Sequence, residues 1–367
     1  MTEIDGVDIK LIAGQIEARN KAENKLPEWF ASDQIYYPAK VSIEQTSSSA
    51  TARFKASLVN GKKLIDLTGG FGVDCFFFAE RFDAVTHCEL NEELSEIVTH
   101  NYEVLGKKNI TTRAIDGIEA LRSSEERYDW IYVDPSRRND VKGKVFLLED
   151  CLPDIPTNLD LLLSKSDNIM IKTSPMLDLQ KGVEDLQMVL EIYVVAVDNE
   201  VKELLWILGN IINVDHEISI HAINIDKNSP VSFTFSKEQE AQTPAYGKPE
   251  IFLYEPNAAI LKAGAFNSIA SSFNLKKLHQ HTHLYTNEVY IDFPGRVFVI
   301  EKVLPYKDKK SLKKELSGTK ANITTRNFPE SVADIRKKFK IKDGGDAYLF
   351  FCTDPEGQRQ VIFCKKV

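Results

Sequence analysis

From residue 63 onward, short apolar runs alternate with helical stretches. The runs are Lys63–Leu67, Ala84–Glu89, Ile110–Ile115, Trp130–Asp134, Asn168–Lys172 and Leu190–Val197. Runs this short and this continuous predict strands buried on both faces, hence a mainly parallel sheet with helices over it, an α/β architecture. Two alternating, β-branched runs follow, Glu217–Ile225 and Val231–Ser236, around a turn-forming Asp226-Lys-Asn-Ser-Pro230. They predict a hairpin closing the sheet's edge. Upstream, residues 1–53 read as a helical preface broken by Pro27 and Pro38, with the polar run Gln45-Thr-Ser-Ser-Ser49 near its end. Downstream, the polar, turn-rich stretch 237–249 reads as a linker, which bounds the sheet domain at 54–240. Beyond it the pattern becomes α+β. Helices are expected at Ala258–Ala263, Ile269–Phe273 and Val332–Lys340, and strands at Leu284–Phe293, Arg296–Val303, Ala347–Cys352 and Gln360–Cys364.

Composition narrows the setting. At 367 residues the chain is longer than a usual single domain, and its 43% hydrophobic and 27% charged residues are ordinary for a globular protein. No run approaches the ~20 apolar residues of a membrane span. The acidic first ten residues lack the zones of a secretory signal. The five cysteines (Cys75, Cys88, Cys151, Cys352, Cys364) have neither disulfide-framework nor CxxC spacing, so reduced thiols and a cytoplasmic location are expected. The net charge of −8 argues against attraction of nucleic acid to the whole surface. Its distribution is uneven. Residues 302–342 hold thirteen Lys or Arg against four acids, or +9, which leaves −17 for the rest. Such a segment is either a solvated face or a contact for nucleic acid.

The sharpest chemical signal is Lys63-Leu-Ile-Asp-Leu-Thr-Gly-Gly-Phe-Gly-Val-Asp74. A buried strand ends in Asp66 and runs through Thr68 into Gly69, Gly70 and Gly72, where bare backbone can approach a ligand at a strand-to-helix turn. The dinucleotide fingerprint GxGxxG lacks its third glycine here, which weakens a dehydrogenase reading. An acid ahead of the glycines repels a pyrophosphate but suits a zwitterion bearing an ammonium and a sulfonium, as S-adenosylmethionine does. Glu89, with Asn91 just beyond it, ends the second strand where an acid can accept ribose hydroxyls. Asp116-Gly117 closes the third strand, where an acid and a backbone N–H could hold an adenine edge. Each pair taken alone is also an ordinary strand end or turn. Their order along the sheet is what resembles motifs I, II and III of class I methyltransferases, over roughly residues 50–240.

The fourth strand ends in Asp134-Pro135-Ser136-Arg137-Arg138. Methyltransferases carry there an Asp/Asn-Pro-Pro-aromatic signature, whose acid and first proline carbonyl accept hydrogen bonds from an exocyclic amine as it attacks the methyl group. This chain departs from it at Ser136 and at Arg137, where a guanidinium replaces the aromatic ring and can stack on a base or clamp a phosphate. Asp-Pro-x-Arg is also similar to the uridine C5-methyltransferases, but their cysteine is missing from Lys172-Thr173-Ser174-Pro175, so covalent C5 chemistry is disfavoured. Direct in-line transfer remains, with Asp134, Pro135 and Arg137 as catalytic candidates and Ser136, Arg138, Lys172, Ser174 and Pro175 lining the acceptor pocket. His279, His281 and His283 alternate at strand spacing, but no acidic or cysteine partner stands nearby, so no metal is expected.

Together with Tyr254-Glu-Pro-Asn-Ala-Ala-Ile-Leu-Lys-Ala-Gly264 and Phe293-Pro-Gly-Arg296, these motifs resemble a family of bacterial class I methyltransferases with THUMP-like C-termini. The resemblance implies a Rossmann-like, seven-stranded, mainly parallel sheet followed by small α+β units: a ferredoxin-like segment at 246–293 and a THUMP-like domain at 294–367. It implies S-adenosylmethionine as cofactor and RNA (tRNA or rRNA) as partner, held by the basic 302–342 segment. It also implies methylation of an exocyclic base amine, guanine N2 above others. The alternatives are an RNA-binding protein with a non-catalytic methyltransferase fold, and a methyltransferase acting on a protein or small molecule.

Overall fold

A computed structural model describes residues 9–38, 43, 45–137, 147–209, 217–226 and 230–367. The chain divides into two compact units, one of residues 1–197 with 202–218, the other of 198–201 with 219–367. Among the described residues no helix is long and apolar enough to cross a membrane.

The first unit opens with three helices, α1 (Ile9–Lys25), α2 (Pro27–Phe30) and α3 (Ser49–Ser57). There follow β1 (Gly61–Asp66), α4 (Val73–Phe78), β2 (Phe82–Glu89), α5 (Glu92–Val104), β3 (Ile110–Ala114), α6 (Gly117–Ser123) and β4 (Trp130–Val133). A short pair, β5 (Ser136–Arg137) and β6 (Cys151–Leu152), precedes α7 (Ile155–Lys165), β7 (Asn168–Thr173), α8 (Leu179–Leu186), β8 (Val189–Val197) and β9 (Glu200–Gly209). The main strands of this unit run β8-β9-β7-β4-β1-β2-β3. The pairings β3–β2, β2–β1, β1–β4 and β4–β7 are parallel, whereas β9 enters antiparallel against β7. All six apolar runs became strands. Strand β9 was not anticipated, because its second half reads Leu-Leu-Trp-Ile-Leu, an unbroken apolar run with no strand-like alternation.

The preface is part of this unit. Trp29 is fully buried, its ring 4.7 Å from Phe76 and 6.1 Å from Phe71. The side-chain amide of Asn101 on α5 donates to the Tyr36 carbonyl and accepts from its N–H, both at 2.9 Å. Ser48 caps α3 in a capping box with Thr51, which places the start of that helix at the end of the polar run. The expected edge at 53/54 therefore falls inside α3.

Helix α3 also delivers Lys55, which is completely buried. Its ammonium donates to both carboxylate oxygens of Glu203 on β9 at 2.9 Å and to Ser47 Oγ at 3.1 Å, and it lies 3.2 Å from Asp74 Oδ1 on α4. Asp74 Oδ2 in turn accepts from Ser47 Oγ at 2.9 Å and from Tyr132 Oη on β4 at 2.8 Å. One cation with two carboxylates holds α3, α4, β4 and β9 together inside the unit.

The second unit begins with β10 (Ser219–Ile225) and β11 (Val231–Ser236), an antiparallel hairpin in the register its alternation predicts. The linker stretch starts with a helical turn, α9 (Lys237–Glu240). Next come β12 (Phe252–Pro256), α10 (Ala258–Ala263), α11 (Ser268–Ser272), β13 (Lys276–Lys277) and β14 (Tyr285–Asn287). The chain ends with β15 (Gly295–Pro305), α12 (Lys309–Leu316), β16 (Lys320–Arg326), α13 (Val332–Phe339), β17 (Lys342–Asp343), β18 (Ala347–Thr353) and β19 (Arg359–Lys366). One sheet, β13-β14-β12-β15-β19-β18-β16-β17, runs through the whole C-terminal half. The long strand β15 makes it continuous, because its first residues pair with β12 and the rest pair with β19 past a bulge at Ile300/Lys302. Helices α12 and α13 bury Leu312, Leu316, Ile335 and Phe339 at i, i+4 spacing and leave Lys310, Lys313, Lys314 and Lys337 exposed.

Two expectations are corrected here. Of Leu284–Phe293 only Tyr285–Asn287 is strand. Residues 279–283 form a turn, with His283 at φ +51°, so the three histidines do not share a strand face. His279 Nδ1 meets the Asn327 amide at 3.0 Å, and His283 stacks on Phe266 with ring centroids 3.7 Å apart.

Lys55→Met leaves two buried carboxylates without their cation and is expected to destabilise the protein by about 3–5 kcal/mol in urea unfolding, with Lys55→Met/Glu203→Leu recovering part of the loss. A single-variant loss below about 1 kcal/mol would show that the cluster does not organise the unit.

Candidate functional site

The carboxyl ends of β1, β2 and β4, the loop after β3, and the polar run before α3 enclose a crevice of about 490 Å³. Its lining includes Asp66, Thr68, Gly69, Gly70, Gly72, Glu89, Asp116, Gly117, Asp134 and Ser136. Ten predicted site residues thus converge from segments far apart in sequence.

The turn after β1 is built around Asp66, which is 1% exposed. Asp66 Oδ1 accepts from the Thr68 N–H at 2.9 Å and from its hydroxyl at 3.3 Å, and Oδ2 accepts from Cys75 Sγ at 3.2 Å. Burial pushes its carboxyl up to about 7, against these hydrogen bonds and with help from Asp74 and Asp134. Asp66 therefore acts first on the turn itself. Thr68 continues the chain of contacts, its hydroxyl accepting the Asp134 N–H at 2.7 Å and tying the end of β4 to the turn.

The glycines answer to different constraints. A Cβ at Gly69 would lie 2.2 Å from His87 Nε2, and one at Gly72 would lie 2.1 Å from Tyr102 Oη, the hydroxyl that donates to the Gly72 carbonyl at 2.8 Å. Gly117 is closed off by backbone, since its Cβ would come within 2.1 Å of the Leu67 carbonyl oxygen. Gly70 differs: at φ +54° its nearest neighbour to a Cβ is 3.8 Å away, so its bare face is open to a ligand. His87 lies beneath the turn, fully buried, with no hydrogen-bond partner of good geometry among the described residues. Burial holds its imidazole down to about 4, so the ring under the turn is neutral.

Glu89 accepts from the Gly70 N–H at 3.0 Å with one oxygen and from the Asn91 N–H at 2.8 Å with the other. Each oxygen keeps a further lone pair for a ligand hydroxyl. Asn91 caps α5, accepting from the Leu94 N–H at 3.0 Å, and does not line the crevice. Asp116 caps α6 through the Glu119 N–H at 3.0 Å while remaining in the lining.

At the crevice mouth, Asp134 is about a third exposed (35%), and Lys172 Nζ sits 2.5 Å from its Oδ2. Burial alone would lower the lysine, but Asp134, then Glu203 and Asp74, more than offset it and hold the ammonium well above its ordinary range. Lys172 thus enters the site as a fixed cation through Asp134. Pro135 is buried behind it, and Ser174 Oγ accepts the Met176 N–H at 3.2 Å in the Pro175 turn, away from the crevice lining. Arg137 places its backbone on β5, paired with Cys151, and Arg138 lies outside the described residues. Ser47, Asp74 and Tyr132 line the crevice without having been singled out. Asp74 closes the glycine motif, and a charged residue at the start of the all-buried helix α4 was the available signal.

The glycine turn, the open face at Gly70 and the acid at each of three strand ends fit a nucleoside joined to an amino acid. The full chain is similar to a crystal structure of a candidate methyltransferase from Porphyromonas gingivalis W83, at 32% identity and a TM-score of 0.88, covering 100% of this chain and 92% of that one. This chain belongs to that family. Its members are class I S-adenosylmethionine-dependent methyltransferases whose C-termini carry a ferredoxin-like domain, matched here at residues 252–294, and a THUMP domain-like region, matched at 295–366. S-adenosylmethionine is the cofactor. More remote likenesses include an rRNA methylase from Streptococcus thermophilus (16% identity, TM-score 0.32, 43% of this chain and 93% of that one). Another is a candidate methyltransferase from Streptococcus mutans in complex with SAH (13%, TM-score 0.33, 44% and 96%). At that distance they bear on no residue of this methyltransferase. No curated protein matches the sequence.

The raised Asp66 carboxyl sets a pH dependence. Its folded value, about 7, lies above its ordinary 3.8, so the stability it contributes is full below pH ~4 and is lost as pH rises to about 7. His87, held down to about 4, works in the opposite sense over much of the same window, so the parent alone hides the effect. Between pH 4 and 7.5, urea unfolding of Asp66→Asn against the parent is expected to shift in the variant's favour by up to about 4 kcal/mol. A difference independent of pH would mean that Asp66 is ionised throughout.

Proposed function

We propose that this methyltransferase transfers the S-adenosylmethionine methyl group to an exocyclic amine of a base in RNA, guanine N2 foremost, with the C-terminal basic segment holding the RNA. The observation that carries the reading is Asp134, whose carboxylate stands at the mouth of the glycine-lined crevice while its N–H is anchored on Thr68.

S-adenosylmethionine supplies an electrophilic methyl on a sulfonium. Glu89 is placed to accept the ribose hydroxyls and the Gly70 backbone to lie against the ligand, while Asp116 and the Gly117 N–H suit the adenine edge. The Asp66 carboxyl, engaged by Thr68 and Cys75, shapes the turn against which the ligand would lie. Among the described residues only Lys172 reaches the Asp134 carboxylate, through Oδ2. Oδ1 can then accept an N–H of the acceptor amine and offset the positive charge that develops as nitrogen attacks, which requires no general base in the attacking step. Alignment of nucleophile and methyl supplies much of the remaining acceleration, ~7–11 kcal/mol at best. The Lys172 ammonium offers a donor beside that acceptor, as a base edge with an amine next to a ring nitrogen or carbonyl needs. Ser136, exposed in the lining, and Arg137 on β5 follow Asp134-Pro135 and are proposed to contact the base or its phosphate. For the RNA grip, Lys310, Lys313 and Lys314 on α12 and Lys337 on α13 present exposed cations above a shared apolar core.

Two measurements test this. Calorimetry is expected to detect S-adenosylmethionine binding by the parent, lost in Glu89→Ala and kept in Asp134→Ala. Mass spectrometry of total RNA is expected to find one methylated nucleoside missing from cells that lack the protein and from cells carrying Asp134→Ala, a loss of transition-state stabilisation worth about 3 kcal/mol or more. An unchanged nucleoside profile would remove RNA as the acceptor.

A further inference from the structure

A cavity of about 840 Å³ lies in the second unit, between β15, the start of α12, the end of α13 and the turn that joins β18 to β19. Five cations line it: Lys248, Lys307, Lys309, Lys338 and Arg359. Lys309 Nζ lies over the ring of Tyr306, is shielded from solvent, and has no hydrogen-bond partner among the described residues. Lys338 donates to the Tyr306 hydroxyl at 3.0 Å and to Glu330 at 2.9 Å, and Tyr306 itself donates to Glu330 at 2.5 Å. Glu330 is thereby committed to Lys338 and Tyr306.

The remaining acids of the lining are committed as well. Asp354 Oδ1 accepts the Gln358 N–H at 2.7 Å and closes the turn, and Glu356 pairs with Lys248 at 3.0 Å. The Lys309 ammonium feels Glu330 only through space and bonds no acceptor among the described residues. Burial first, then Lys338, hold it down to about 8 against the attraction of Glu330, with Arg359 adding a smaller push in the same direction. An ammonium with no hydrogen-bond acceptor, pressed by two further cations beside an open cavity, gains from an anion placed there, and a group that offers several acceptor oxygens can serve all three cations at once.

We propose that this cavity is a phosphate site of its own, occupied by a phosphate group of the RNA on which the enzyme acts. The occupant rests on the RNA reading above; the anion chemistry rests on the cavity alone. Tyr306 fixes the site from below, since its hydroxyl holds Lys338 and Glu330 while its ring carries Lys309. The site differs from the outer faces of α12 and α13, whose exposed lysines act through diffuse, salt-screened attraction.

The test compares two double variants of the full chain that lose equal charge: Lys309→Gln/Arg359→Gln inside the cavity, and Lys310→Gln/Lys313→Gln on the exposed face of α12. Binding of a fluorescent tRNA is measured by anisotropy, with inorganic phosphate as competitor, and thermal melts establish that both variants fold. The cavity pair is expected to weaken RNA binding by about tenfold or more, as loss of charge-assisted hydrogen bonds does, and to abolish competition by phosphate. The surface pair is expected to lower affinity about two- to threefold and to keep that competition. Lys309→Arg, which preserves the charge, should retain binding. Equal losses in the two pairs, or phosphate competition that survives in the cavity pair, would overturn the site while leaving the RNA reading intact. A parent that binds phosphate in the cavity but no RNA would overturn both RNA as occupant and the RNA reading.

Discussion

The ammonium of Lys55 is the point on which the first unit turns. A buried carboxylate without a counterion costs several kcal/mol, and here two of them, on α4 and β9, face inward on a single lysine. That arrangement allows one position for α3 relative to the sheet. It also decides where Asp74 points, because Asp74 shares itself between Lys55, Ser47 and Tyr132. Since Asp74 lies two residues past Gly72, the cluster fixes the end of the glycine turn, and Thr68 carries that fixity across to Asp134. The crevice is thus rigid on the side where charge develops, as electrostatic preorganisation requires.

What the chain disclosed before folding was its local grammar. Strand ends carrying acids, glycines in a strand-to-helix turn and an alternating hairpin are local patterns, none longer than the hairpin of residues 219–236, and each depends on backbone geometry that neighbouring residues dictate. The Lys55–Glu203 pair spans 148 residues, and nothing in either residue's neighbourhood marks it. A lysine in a short helix reads as solvated until the partner strand is known. The same blindness applied to His87, whose place under Gly69 follows from the parallel pairing of β1 with β2. Asn91 misled for the opposite reason: its position after Glu89 suited a ligand contact, yet a helix begins there and its side chain is used as a cap. The three histidines failed as a strand face because alternation needs extended backbone, and His283 adopts positive φ.

Asp134 and Lys172 illustrate how a pair changes the meaning of each member. Read singly, the acid is a hydrogen-bond acceptor for an amine and the lysine a pocket wall. Held 2.5 Å apart, they make a neutral unit with one carboxylate oxygen engaged. The pair engages one oxygen of a half-buried acid and leaves the other without a partner among the described residues. Its electrostatic effect on an acceptor is then that of a local dipole rather than a bare charge, which favours a substrate edge that alternates donor and acceptor over one that only donates.

The C-terminal motifs have a structural explanation that chemistry at the crevice does not supply. Glu255, 3% exposed, accepts from Arg296 Nε at 2.8 Å and from Arg326 Nη2 at 3.0 Å. Arg296 is its direct partner in the β12–β15 register, whereas Arg326 lies on β16, further along the same sheet. One carboxylate therefore ties the ferredoxin-like stretch to the THUMP-like one across strands that do not touch. Gly295 is required beside it, because a Cβ there would come within 2.1 Å of the Glu255 carbonyl oxygen. Asn257 caps α10, and Gly264 ends that helix in the left-handed region. The glutamate, asparagine and glycine of the first motif and the glycine and arginine of the second serve one joint. Because the joint holds β15 in register, it also sets where Tyr306 emerges at the strand's far end. A change at Glu255 would therefore reach the cation cluster around Tyr306 through the strand's alignment, with no direct contact between the two.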